Sequence, residues 1–256
     1  MTVKALSLYD FEREPKDIDL MSLEPTRAPI AHTVIDPHDA TNWKGIEKIK
    51  TFCLGIVLLE IEHLRLQESA FLTPREGARA EELGPRRRKL FIAARAALKR
   101  LARQLALASK NTPDSCIETL GPDRVKPCLA GCSLHCSVSH TNRFAVAIGH
   151  VHPVGVDIEV VSAKALRVWP LFMDSRNSDL LTTAGIGPER TATRAWTIKE
   201  AASKAFGLDL SEAIRQVDIV LFGEMESAIR HRGKMYSVMH AEGEGHVLSL
   251  ITCGGV

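Results

Sequence analysis

The chain has 256 residues, of which 45% are hydrophobic and 25% charged, an ordinary composition for one large domain or two small ones. That composition excludes a wholly disordered chain, a collagen and a disulfide-stapled miniprotein. Thirty-three Lys and Arg against 31 Asp and Glu leave a net charge of +2, which does not suggest a nucleic-acid coat. No apolar run approaches the ~20 residues that span a bilayer. The opening MTVKALSLYDFEREPKD lacks the apolar centre of a signal peptide. A soluble, cytoplasmic protein with no membrane or nucleic-acid partner is expected, its six cysteines reduced.

Charge is unevenly spread. Residues 1–48 carry six basic and nine acidic residues with no sustained period, and read as an extension, a capping segment or a partner-binding arm. Residues 74–110 carry eleven basic and three acidic residues, a field that attracts an anion unless it is simply a solvated helix face. Residues 51–61 are apolar and rich in branched side chains, which reads as a buried strand, although so short a run does not separate strand from helix. Thr73, Pro74 and Glu76 form a helix-start signal with a capping box. Pro85 opens a helix to about residue 109, with Phe91, Ala94, Leu98, Leu101 and Leu105 in one apolar stripe and Arg88, Arg95, Lys99 and Arg103 off it. Residues 110–133 are loop-like. Residues 144–149 and 154–161 read as two strands joined closely enough for an antiparallel hairpin. Residues 163–181 are helical in part, 182–190 a loop, 193–206 a helix, and 217–222, 235–240 and 246–252 closing strands. Helices and strands mix without strict alternation, which favours α+β.

Two segments concentrate the chemistry. In GVDIE (155–159), Asp157 and Glu159 share one face of a strand whose other residues are apolar or glycine. Such a pair is either an edge strand's solvated acidic face or a cation site, and Mg²⁺ suits the second because one or two carboxylates suffice alongside water and phosphate. In WTIKEAASK (196–204), Trp196, Glu200 and Lys204 line one helix face at successive i, i+4 positions. Taken alone, Glu200 and Lys204 would be an exposed ion pair worth ~0.3–0.5 kcal/mol.

GVDIE followed about forty residues later by WTIKEAASKAFG (196–207) resembles the signature pair of the 4′-phosphopantetheinyl transferases, more narrowly the long, monomeric type that activates surfactin synthetase. Ser137-Val-Ser139-His140-Thr141 is similar to that family's Ser-His segment, Lys126-Pro127 to its Gly-Lys-Pro element with Val125 in place of glycine, and RKLFIAARAALK (88–99) to its arginine-bearing helix. The resemblance covers roughly residues 50–252. It implies an α+β fold of two pseudo-twofold halves, 49–152 and 153–256, each a small antiparallel sheet packed with helices, with the site in the cleft between them. It implies transfer of the phosphopantetheine arm of coenzyme A to a serine of an apo acyl or peptidyl carrier protein, with release of adenosine 3′,5′-bisphosphate, by a monomer. The nucleophile then belongs to the partner, in keeping with the lack of a nucleophile elbow or a convincing Ser/His/Asp set in this chain. The implied metal ligands are Asp157, Glu159 and Glu200 on Mg²⁺ or Mn²⁺. The resemblance further implies that Glu200 accepts the serine proton, directly or through water, that Lys204 stabilises phosphate charge, that His140 with Ser139 contacts the 3′-phosphate of coenzyme A, and that Arg88 and Arg95 add to that phosphate site. The implied carrier is one of fatty-acid, polyketide or nonribosomal peptide biosynthesis. Residues 170–179 match poorly the family's phenylalanine-led acidic segment, and the 48-residue extension has no counterpart.

Two alternatives stand beside this. A protein of the same fold could hold carrier domains or coenzyme A without catalysis. Cys128, Cys132 and Cys136, spaced C-x3-C-x3-C with His135 beside the last, could hold zinc or an iron–sulfur cluster, against a reading as buried or incidental thiols. Trp43, Trp169 and Trp196 read as packing residues. His32, His38, His63, His150, His152, His231, His240 and His246 read as surface or loop residues.

Overall fold

The apolar run at 51–61 divides in two. In the computed structural model, which describes residues 43–64, 68–173 and 179–254, helix α1 (Ile46–Phe52) ends within that run, and strand β1 (Gly55–Glu60) follows. The residues before 43, 174–178 of the poorly matching middle segment, and His32 and His38 lie outside the described residues.

A short helix α2 (Glu68–Phe71) precedes α3 (Pro74–Glu81), which begins with the predicted capping box: Thr73 Oγ1 accepts from the Glu76 N–H, and the Glu76 carboxylate accepts from the Thr73 N–H. Helix α4 (Pro85–Gln104) starts at Pro85 as expected and stops five residues early, where Ala106 turns to φ 56°. Strands β2 (His135–His140) and β3 (Phe144–His150) complete a first antiparallel sheet in the order β1-β3-β2. Next come β4 (Val154–Val160), α5 (Ala163–Phe172), α6 (Leu180–Thr183), α7 (Pro188–Phe206), α8 (Leu210–Gln216), β5 (Val217–Leu221), β6 (Glu226–His231), β7 (Lys234–Gly243) and β8 (His246–Thr252). The second sheet is antiparallel in the order β4-β8-β7-β6-β5. The architecture is α+β. Among the described residues no helix is long and apolar enough to cross a membrane.

The expected hairpin of β3 with β4 does not form. Both edges of β3 are taken, by β1 and β2, so β4 has no ladder to join and pairs with β8 instead. The strand β6 and helices α1 and α8 were not anticipated from the sequence pattern.

Strand periodicity sets the layers. Val57, Leu59, Ala145 and Ala147 face the Ala93, Ala97, Leu98 and Leu101 side of α4. Ile56, Leu58, Val146 and Ile148 point the other way, against Val156, Ile158, Leu248 and Leu250 of the second sheet. The far side of that sheet carries Ile229, Val238 and Ile251 against Ile198, Ala201 and Ala205 of α7, with Trp169 of α5 in the same core. The order is helix, sheet, sheet, helix. Trp43 is buried here too, edge-on to Phe144 with ring centroids 5.3 Å apart.

Burial of charge departs from the stripe reading of α4. Lys99 and Glu76 are 0% exposed and paired at 2.7 Å. Glu76 also accepts from the N–H and hydroxyl of Thr119, and Lys99 donates to the carbonyls of Phe71 and Asp114. The residue that caps α3 is thus also the counter-charge inside the domain. Glu76→Ala leaves Lys99 buried without its counter-charge, and should cost about 3–5 kcal/mol in urea unfolding.

His231, His240 and His246, expected at the surface, are buried. His240 sits in a directional chain. Thr197 Oγ1 donates to the Arg194 carbonyl at 2.8 Å, so it must accept from Ser249 Oγ at 2.6 Å. Ser249 then accepts from His240 Nδ1 at 3.0 Å, and His240 Nε2 accepts from Ser227 Oγ at 2.8 Å, which itself takes the Gly223 N–H. Only the neutral Nδ1–H tautomer satisfies every hydroxyl. Burial, aided by Arg194, lowers the His240 pKa well below 6.5. The unfolded chain therefore binds the proton more readily, and this residue's contribution is full above about pH 6.5 and lost as pH falls toward the depressed folded value. Urea midpoints at about pH 7 and about pH 5 should fall further apart for the wild type than for His240→Gln.

Candidate active site

Small residues decide how close α7 comes to β4. Ala201, Ala202 and Ala205 are buried on its inner face. A Cβ at Gly155 would lie 1.9 Å from the Ala201 carbonyl oxygen and 2.7 Å from the Ala205 nitrogen. Only glycine permits that approach. The turn so drawn in carries Glu200 and Lys204, and two residues along β4 stands Asp157.

Asp157 is 2% exposed. Its Oδ1 accepts from Lys204 Nζ at 2.8 Å and from Ser139 Oγ at 2.7 Å. Lys204 also donates to the Val156 carbonyl at 2.9 Å, which fixes it over the strand. The exposed Glu200–Lys204 pair is therefore not what this lysine makes: its ion pair is with Asp157 across the helix–strand contact. Asp157 Oδ2 is buried without a hydrogen-bond partner.

The neighbouring acids register the crowding. The Glu200 carboxyl is pushed up to about 7, first by burial and then by the Asp157 charge, while Lys204 and a hydrogen bond from Trp196 oppose the rise. Glu159 is likewise pushed up to about 7, by burial and then by Asp157 and Glu200, while Lys164 and Lys204 pull the other way. Asp157 lies near enough to raise both of these acids, and Glu200 near enough to raise Glu159, and such crowding of negative charge is what a cation relieves.

Among the described residues no three His, Cys, Asp or Glu side chains are grouped so as to hold a metal ion as they stand. The expectation that three acids form one ready cage is corrected to that extent. Asp157 and Glu200 meet, Glu159 stands alongside, and Lys204 occupies one oxygen of Asp157. The donor chemistry still fits Mg²⁺: the orphaned Oδ2 is a hard oxygen beside a second carboxylate, and one or two carboxylates suffice for that ion.

The other predicted residues separate. His140 ends β2 with its ring reaching solvent, and its pKa is lowered by partial desolvation and by the Lys204 charge. Ser139 is turned inward to Asp157 and also accepts from the Ile158 N–H at 3.4 Å, so its hydroxyl is engaged within the protein rather than held out for a phosphate. Arg95 is 3% exposed, with Nη1 donating to the Thr119 carbonyl at 2.6 Å and its guanidinium over the Phe91 ring. It braces the interior where an exposed anion contact was expected. Arg88 lines a cavity of about 320 Å³ with Ile61, Leu64, Pro85, Lys89, Ile92 and Ala93. Arg86, two residues before it, bonds Asn142 in the turn just past His140. Trp196 packs edge-on against Phe172 at 5.1 Å, the packing role expected of it.

Two residues carry structural roles that spacing does not signal: the Ser137 hydroxyl accepts from the Val156 N–H at 3.1 Å, and Lys199 donates to the Ile214 carbonyl at 3.1 Å and to that of Val217. Lys199 lies five residues from Lys204, on another side of the helix, and ties down the end of α8. The cysteines are free thiols, with burial raising Cys128 and pushing Cys136 up to about 12, and among the described residues they are not grouped so as to hold a metal ion with three such ligands.

Residues 153–251, the segment that holds α7 and the five-stranded sheet, match the family model described as the 4′-phosphopantetheinyl transferase superfamily. The match supports that superfamily and phosphopantetheine transfer in general. A search of curated proteins found no match.

Gly155→Ala should destabilise by about 1–3 kcal/mol through overpacking. The same change at Gly77, in α3 with open space at its Cβ position, should stabilise by roughly 0.5–1 kcal/mol. Denaturant unfolding of the two variants checks the opposite signs.

Proposed function

We propose that the chain transfers the 4′-phosphopantetheine moiety of coenzyme A to a serine of an apo acyl or peptidyl carrier protein, as a monomeric transferase of the surfactin-synthetase-activating type. The observation that carries the reading is the buried Asp157, paired to Lys204 and set against Glu200 where β4 meets α7, inside the segment matched by the family model.

Asp157 and Glu200, with Glu159 beside them, would hold Mg²⁺ or Mn²⁺. When bound, the ion neutralises pyrophosphate oxygens. In the reaction the carrier serine Oγ forms a bond to the β-phosphorus of coenzyme A. The bond from that phosphorus to the bridging oxygen breaks, and adenosine 3′,5′-bisphosphate leaves with the electron pair. Glu200 takes the serine proton, directly or through water. Lys204 has three N–H donors, two of them spent on Val156 and Asp157, which leaves one for a phosphate oxygen. Such transfers depend on positioning and charge neutralisation more than on covalent help from the enzyme. His140 is the leading contact for the 3′-phosphate, and Arg88 would add to it. Arg95 supports that region from within.

Incubation with coenzyme A, Mg²⁺ and candidate apo carriers should add one phosphopantetheine to a carrier serine by mass spectrometry. Failure across fatty-acid, polyketide and peptide carriers would leave a non-catalytic binder. Glu200→Ala should lose transfer by ~10²-fold or more while staying folded, and near-normal labelling by that variant removes Glu200 from the chemistry. Lys204→Ala should lower turnover more than stability; unchanged turnover would confine Lys204 to its ion pair.

A further inference from the structure

The seam between the two sheets is made by side chains. β2 and β4 lie side by side without a ladder, and the alternate hydroxyls of Ser137 and Ser139 accept from the Val156 and Ile158 N–H groups of β4. Both serines therefore do the same structural work, one strand pleat apart. They differ in one respect. Ser139 Oγ also donates to Asp157 Oδ1 at 2.7 Å, whereas two residues back along β4, toward Ser137, the place of the acid is taken by Gly155.

A carboxylate is planar, so fixing one oxygen from two directions fixes where the other points. Oδ1 is held by Ser139 from the first sheet and by Lys204 from α7, and this leaves Oδ2 as the buried oxygen with no partner. The hydroxyl has only one proton, and Asp157 has it. Ser139 consequently has no donor left for a ligand phosphate. We propose that Ser139 is a positioning residue: its hydroxyl sets the Asp157 carboxylate so that Oδ2 is presented, together with Glu200, to a divalent cation. This rests on the metal reading proposed above and departs from the expectation that Ser139 touches coenzyme A.

The two roles make opposite predictions. The full chain is titrated with Mn²⁺, followed by electron paramagnetic resonance of the free ion without coenzyme A. Coenzyme A binding is measured separately by calorimetry without divalent ions. Ser139→Ala should weaken Mn²⁺ binding by ~10–100-fold, the usual cost of losing a partner that orients a ligand, and leave coenzyme A affinity within about twofold. Ser139→Thr, which keeps the hydroxyl, should restore Mn²⁺ binding. Ser137→Ala removes the same kind of seam contact and should change neither constant. Should Ser139→Ala not fold, Ser139→Cys, a poorer donor at the same place, replaces it with the same expected direction. Wild-type Mn²⁺ affinity in the Ser139 variants, or a loss of coenzyme A affinity with Mn²⁺ binding intact, overturns the positioning role. A wild-type protein that binds no Mn²⁺ overturns the metal site itself and this role with it.

Discussion

A carboxylate taken out of water must be compensated, and Asp157 is where that requirement organises the molecule. Its two hydrogen-bond partners come from separate stretches of chain. Lys204 arrives on α7 because Gly155 and the alanines of that helix let backbone approach backbone. Ser139 arrives on a strand of the other sheet. Removing either changes the surroundings of a buried charge rather than of a surface group. Local compensation is incomplete, with one oxygen unpartnered and two further carboxyls driven toward neutrality. An incompletely neutralised acidic contact inside an otherwise well-packed fold is a feature of function more than of stability.

What could be read in the sequence was what short-range periodicity encodes. The capping box at Thr73, the start of α4 at Pro85, and the shared faces of Asp157 with Glu159 and of Trp196, Glu200 and Lys204 all follow from spacing within a few residues. The run at 51–61 failed because its apolar character serves both a helix end and a central strand, and composition does not mark the break between them. The β3–β4 hairpin failed because strand pairing depends on whether an edge is free, and β1, some ninety residues earlier in the chain, had taken it.

The candidate site divides the same way. The acids and lysine were legible as types and spacings. Their partners were not, because Ser139 and Asp157 belong to different sheets, and Arg95 and Lys99 are solvated or buried according to loops that arrive from elsewhere. Lys99 looked like a residue of the basic face, yet its charge is matched by Glu76, whose apparent task was to begin another helix. His240 looked incidental because its hydroxyl partners are spread over α7 and two flanking strands.

The serine-stitched border of β4 carries one more consequence. A strand at the margin of a sheet exposes a row of amide donors that a foreign chain can copy, and proteins commonly blunt such margins with charge or proline. Here the row is consumed from within: the hydroxyls spaced two residues apart on β2 meet the amides spaced two residues apart on β4, so that margin offers no template for intermolecular sheet growth. The opposite margin, β5, keeps Val220 and Leu221 exposed. Self-association by sheet extension, where it occurs, should begin there.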